Sequence, residues 1–287
     1  MKRTAIVMAV LAFCIASFGQ AKPATQGSST AQQNSAGQGE AAPQGKRPPQ
    51  AKTQPEYQAF NAALALTDAA AQEKAADDFA AKFPDSELRV ILYKAVMQKY
   101  QQTNNADKML AMAQKALSCD PDDPEALVGA SQVLAERTRD TDLDKDQKLA
   151  ESKKDAERAL ATVDTDVPTA GYPPEKIDMY KRYIKSEAYA ILGTLASNSE
   201  NYAEAEADLR KSIDVFPEQV DSIAVLRLAI ALDKQNKTTE ALKYANQAVD
   251  LTKDRPDSAA GKAARAEQDR LTKLTGGTSA APSGTPK

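Results

Sequence analysis

One pattern occurs three times in this chain with the same stagger, and it constrains the fold more than any other feature. Tyr93-x2-Val96-Met97-x2-Tyr100 resumes at Met109-x3-Ala113-x2-Ala116, and Tyr189-x2-Leu192-Gly193-x2-Ala196 resumes at Ala205-x3-Leu209-x2-Ser212. Val225-x2-Leu228-Ala229-x2-Leu232 resumes in the same way at Ala241-x3-Ala245-x2-Ala248. In all three the second half begins nine residues after the first half ends. Apolar residues three and four apart trace one face of a helix, so each copy is predicted to be two helices joined by a turn of constant length. Gly193, Ala205, Ala241 and Ala248 are small where the two backbones must come closest, which makes them packing positions.

Two further copies depart from the pattern in ways that locate a loop and an end. Leu127-x2-Ala130-Ser131-x2-Leu134 resumes only at Ser152-x3-Ala156-x2-Ala159, so this copy carries a nine-residue insertion. Tyr57-x2-Phe60-Asn61-x2-Leu64 is followed by Gln72, Ala76, Phe79 and Pro84 with one residue fewer in the turn, as in a degenerate terminal unit. Residues 165–186 interrupt the series with Pro168, Gly171, Tyr172 and Pro173-Pro174. Prolines and acidic turn residues at Pro84-Asp85, Asp120-Pro121, Phe216-Pro217 and Arg255-Pro256 mark the boundaries between helices.

The spacing resembles that of the tetratricopeptide repeat, a helix-turn-helix unit of about 34 residues with large-x2-Leu-Gly-x2-Tyr on its first helix and Ala-x3-Phe…Pro on its second. Tyr93, Leu127, Tyr189, Gly193, Ala205, Pro217, Ala241 and Ala248 stand at its structural positions, and Asn201-Tyr202-Ala203-Glu204-Ala205 has the look of its turn. The resemblance implies an all-α, right-handed superhelical solenoid of tetratricopeptide repeats with a C-terminal capping helix. A single hairpin cannot bury its apolar face, so the units must stack on their neighbours. We place a degenerate repeat at 55–86, repeats at about 90–123, 124–164, 186–219 and 222–255, and the cap at 258–274, with Ala259, Ala260, Ala263 and Ala264 facing inward. The repeat domain thus spans 55–274.

The ends read differently. Met1-Lys2-Arg3, an apolar run from Ala5 to Phe18 and the small-x-small site Gly19-Gln20-Ala21 predict a signal peptide over 1–21 and export to the periplasm or beyond. Residues 22–54 and 275–287, rich in Gln, Ser, Gly, Ala, Pro and Thr, are expected to be a disordered linker and tail. Leu11-Ala12-Phe13-Cys14 looks like a lipidation site except that Phe13 replaces a small residue, so membrane attachment depends on Cys14 alone. Cleavage after Ala21 leaves Cys119 without a partner, and it is read as a small apolar residue near a helix end.

Composition excludes several chemistries. The chain has no histidine, which rules out Ser-His-Asp and Cys-His nucleophiles and imidazole metal ligands. Forty acidic residues against 37 basic ones, with no basic run, exclude a nucleic-acid-binding surface. Asp140-x-Asp142-x-Asp144 with Glu151 has the spacing of a calcium loop, but Lys145 stands where that loop needs glycine, so a solvated acidic loop is expected. Tyr172, Tyr180, Tyr183 and Tyr189 are read as core and interface packing.

These readings predict a non-enzymatic scaffold of the bacterial periplasm or cell envelope, without cofactor or metal, whose partner is another protein or peptide. In such solenoids the first helices line the inner face. Positions one, five, eight and nine places after the leading residue then point into the groove: Lys94, Gln98, Gln101 and Gln102, then Gln132 and Glu136, then Thr194, Ser197 and Asn198. That groove is expected to be amide-rich and nearly uncharged, suited to the backbone of an extended peptide. Family members that bind chaperones hold a C-terminal carboxylate with a basic and asparagine clamp; Lys94 with Gln98 is only faintly similar to half of it and the other repeats lack the lysines, so that activity is not expected here. The alternatives are a lipid-anchored accessory factor of outer-membrane assembly or cell division, and a carboxylate-based hydrolase.

Overall fold

The computed structural model describes residues 45–276. The predicted signal peptide, Cys14, the first part of the linker and nearly all of the tail lie outside those residues. Within them the regular elements are eleven α-helices and one 3-10 turn, Pro217–Gln219. The helices are α1 Gln54–Leu64, α2 Ala69–Lys82, α3 Arg89–Gln102, α4 Ala106–Cys119, α5 Pro124–Arg137 and α6 Lys145–Thr162, followed by α7 Pro174–Asn198, α8 Tyr202–Val215, α9 Ser222–Lys234, α10 Thr238–Thr252 and α11 Ala259–Gly276. Among the described residues no helix is long and apolar enough to cross a membrane.

The helices form five hairpins plus α11, and each packs on the helix before and the helix after it. The first helices of successive hairpins, α1, α3, α5, α7, α9 and then α11, also touch one another, whereas the second helices pack chiefly on first helices. That asymmetry creates an inner layer of first helices and an outer layer of second ones, the geometry of a curved solenoid.

The constant nine-residue stagger has a visible cause. In the three regular repeats the first helix ends in a left-handed residue at the same place: Asn104 (φ 54°), Glu200 (φ 58°) and Asn236 (φ 62°). The next amide then reaches back five residues, from Asn105 to the Tyr100 carbonyl, Asn201 to Ala196 and Lys237 to Leu232, at 2.9, 2.9 and 3.0 Å. This is the closing bond of a Schellman cap, and it fixes where the second helix starts. Asn105 and Asn201 then cap α4 and α8 with their side chains. The insertion repeat has no such cap: Thr138 is extended, and residues 138–144 form a loop before α6.

Small residues sit where helices cross. A β-carbon on Gly193 would lie 2.6 Å from the Leu209 side chain and 3.2 Å from the Ala205 carbonyl, so only glycine fits between α7 and α8. Ser131 and Ser152 exchange hydrogen bonds between α5 and α6, each hydroxyl donating to the other residue's carbonyl at 2.7 and 2.8 Å. Ser186 donates to the Ser212 carbonyl at 2.9 Å across the next hairpin. Ala205, Ala241 and Ala248 are fully buried, as the spacing requires.

Three expectations need correction. Residues 45–53, assigned to the linker, lie against the solenoid, because Lys46 and Arg47 find carboxylates on its loops. Helix α7 begins at Pro174, three turns before the repeat pattern, so half of the supposed interruption is helical; Pro174 is tolerated there as a first-turn residue whose amide would have no partner. On α11 the inward residues are Gly261, Ala264 and Leu271, while Ala259 and Ala263 are exposed. Gly261 approaches the Arg255 and Pro256 carbonyls so closely that a β-carbon would sit 2.8 Å from each, which sets the rotation of the helix.

Candidate functional site

Four first helices, α3, α5, α7 and α9, enclose a cleft of about 220 Å3 on the inner layer. Gln101 from α3 and Gln132 and Glu136 from α5 form one wall, with Gln101 Nε2 donating to Gln132 Oε1 at 3.4 Å. Tyr183, Glu187, Ile191 and Thr194 of α7 form the floor, and Asp221, Ile223 and Arg227 close the far side. Arg227 is held by the floor, donating to Thr194 Oγ1 at 2.8 Å, while that hydroxyl donates to the Ala190 carbonyl at 2.7 Å. Tyr183 is fixed edge-on against Phe216, ring centroids 6.4 Å apart.

Of the groove residues expected from spacing, Gln101, Gln132, Glu136 and Thr194 meet in this cleft. Gln102 is exposed and borders a smaller recess alongside Gln101 and Gln132, and Asn198 is exposed beyond the cleft. Ser197 is half-buried behind it. Lys94 and Gln98 do not line this cleft, although Gln98 reaches the smaller recess beside Gln101, Gln102 and Gln132. Both are 8 % exposed, because the next first helix covers the first two turns of the inner stripe.

Lys94 and Gln98 instead belong to a buried polar network between the second and third repeats. Lys94 Nζ lies 2.7 Å from Asp123 and 3.3 Å from Glu125, Gln98 donates to Glu125, and the Tyr180 hydroxyl donates to Glu125 at 2.8 Å. Burial works against the lysine charge, but the two carboxylates outweigh it and raise the Lys94 pKa. Burial, with the nearby Glu125 and Asp123 charges, also raises the Tyr180 phenol, which stays a neutral donor. Asp123 serves a second purpose as the cap of α5, accepting from the Ala126 amide at 2.9 Å.

The cleft is also more acidic than the spacing rule implied. Glu136, Glu187 and Asp221 line it together with one guanidinium, Arg227, so its lining carries net negative charge. Sequence reasoning missed Tyr183 and Glu187 as cleft residues because both precede Tyr189, the leading residue from which the groove positions are counted. The signal was present: 183, 187, 191 and 194 continue the inner stripe of α7 backwards at helical spacing.

The acidic loop is occupied by its own lysines. Asp140 pairs with Lys145 at 2.7 Å, and Lys148 lies 3.4 Å from Asp142 and 2.9 Å from Asp144. Among the described residues no group of three or more His, Cys, Asp or Glu side chains is placed to hold a metal ion. The four tyrosines serve separate places: Tyr180 in the network, Tyr183 in the cleft, Tyr172 at an outer slot, and Tyr189 with the Lys211 ammonium 5.2 Å from its ring centre.

Comparison with known proteins follows the same lines. Residues 186–219 match the family model described as tetratricopeptide repeat. No curated protein sequence matches the chain. Among solved structures, similar ones include YrrB, "a TPR protein with an unusual peptide-binding site", at 16 % identity over 71 % of this chain and 86 % of that one, with a TM-score of 0.45. TTC0263, a thermophilic TPR protein of Thermus thermophilus, shows 12 % identity over 76 % of this chain and all of the other, TM-score 0.46. PilW, a type IV pilus biogenesis factor, shows 18 % identity over 73 % and 98 %, TM-score 0.39. The family match covers the one hairpin at 186–219, and the same capped hairpin geometry recurs on both sides of it.

Proposed function

We propose that this protein is a non-catalytic scaffold of the bacterial periplasm or cell envelope that holds an extended, basic segment of a partner protein in its inner cleft. The observation that carries the reading is the convergence of four first helices on one cleft that offers amides, a tyrosine and three carboxylates together. Gln101 and Gln132 can pair with a peptide backbone, which has donors and acceptors alternating along it. Glu136, Glu187 and Asp221 favour a lysine or arginine side chain, and Ile191, Ile223 and the Tyr183 ring supply apolar contact. The export part of the proposal is supported by Lys2, Arg3, the apolar run to Phe18 and the Gly19-Gln20-Ala21 site.

The test is recovery of partners from cell-envelope extract on the immobilised protein, comparing the natural chain with Gln132→Arg plus Glu136→Arg. Both positions lie on the cleft wall outside the core, so the fold should persist. Loss of the recovered partner is the expected result. Unchanged recovery contradicts the cleft as the binding site.

A further inference from the structure

A second site lies on the loop edge of the solenoid and is filled by the chain itself. Residues 45–52 have no regular secondary structure, yet side chain after side chain is docked. Gly45 lies so close to Val167 and Thr169 that a β-carbon would meet the Thr169 side chain at 2.6 Å. The Lys46 amide donates to the Thr165 carbonyl at 2.9 Å, and its ammonium lies 2.6 Å from Asp120 and 3.5 Å from Asp166. Arg47 forms a two-pronged pair with Glu87, which holds that carboxyl below its ordinary pKa. Pro48 and Pro49 then lie over an apolar slot that includes Val90, Ile91, Val167 and Ile177.

Two features mark this as ligand recognition in addition to simple covering. The contacts alternate between charge capture and apolar seating, the way an extended peptide is read by a groove. The seat is also underfilled, since a cavity of about 70 Å3 remains between the prolines and the slot. A diproline suits such a groove because it is extended without internal hydrogen bonds and loses little entropy on docking.

We propose that this slot is a recognition site for extended, basic, proline-containing peptide segments, occupied in cis by Lys46-Arg47-Pro48-Pro49 and open in trans to a segment of the same chemistry. The cis segment runs into α1 at Gln54, so its effective concentration is on the order of millimolar. A free peptide of identical sequence therefore competes poorly. The slot and the inner cleft share no lining residue, so the two proposals stand or fall separately.

The experiment uses the full chain and a fluorescent peptide with the sequence Gln-Gly-Lys-Arg-Pro-Pro-Gln-Ala-Lys, read by anisotropy. Lys46→Glu with Arg47→Glu releases the cis segment and should bind the peptide at least about ten-fold more tightly than the natural chain. Adding Asp120→Asn and Asp166→Asn should abolish that gain. If reversed charges disturb the far-ultraviolet circular dichroism, Lys46→Ala with Arg47→Ala makes the same comparison. Equal binding by the natural and released chains, or no binding by the released chain at millimolar peptide, overturns the proposal.

Discussion

The junction between the second and third repeats and the junction between the fifth repeat and α11 hold equivalent places in the stack and are filled with opposite chemistry. In the former, the inner stripe of α3 buries Lys94 and Gln98 against Asp123 and Glu125 of α5 and Tyr180 of α7. In the latter, Leu226 occupies the place on α9 that Lys94 has on α3, and it packs in an apolar cluster with Val225, Ala248 of α10 and Ala264 of α11. An apolar junction tolerates small shifts of register. A buried ion pair does not, because any slip leaves a charge without its counter-charge in a poorly solvating environment. The ionic junction thus fixes how the N-terminal pair of hairpins meets the rest, and the cleft walls Gln101 and Gln132 inherit that position.

Breaking the ionic junction should produce the largest effect. Lys94→Ala strands two buried carboxylates and should lower stability by about 3–5 kcal/mol, read as the urea midpoint of the circular dichroism signal. Leu226→Ala at the equivalent place should cost only about 2 kcal/mol, since it removes apolar contact and leaves no charge behind. Equal losses at the two positions would erase the distinction between the junctions.

A smaller effect sharpens the comparison on the outer layer. Burial on α6, with the nearby Glu151 charge, pushes the Asp155 carboxyl up to about 6. Its folded pKa lies above its unfolded value of about 3.9, so its contribution to stability is full below that value and is lost as pH rises through 6. The protein should gain about 1 kcal/mol from this group between pH 7 and pH 5, and Asp155→Asn should remove that slope. Thermal midpoints at the two pH values check it.

Much of the fold was legible in the sequence because the repeat writes its own geometry. The nine-residue stagger is plain in the sequence, and the left-handed residues Asn104, Glu200 and Asn236 are its structural cause. Small residues at Gly193, Ala205 and Ala241 identified the helix crossings. The start of α7 was less visible, because Pro173-Pro174 reads as a breaker and only the chain's path shows that Pro174 opens a helix. The inner stripe was correct in direction, yet spacing cannot say how far each first helix is overlapped by the next. Lys94 and Gln98 fell under that overlap, Gln101 and Gln132 escaped it, and a lysine at a groove position looks the same in sequence whether or not Asp123 and Glu125 wait opposite. The docked segment at 45–52 was hidden by composition, since Lys46 and Arg47 gain their meaning from Asp120, Asp166 and Glu87 far along the chain.

The central claim is that partners are held on the layer of first helices. Site-specific photocrosslinking in living cells tests it most directly, with the reactive residue placed at Gln132 in the cleft or at Gln247 on the second helix α10. A discrete partner adduct from Gln132 and none from Gln247 is the predicted result. Adducts of equal yield from both positions, or from Gln247 alone, would contradict it.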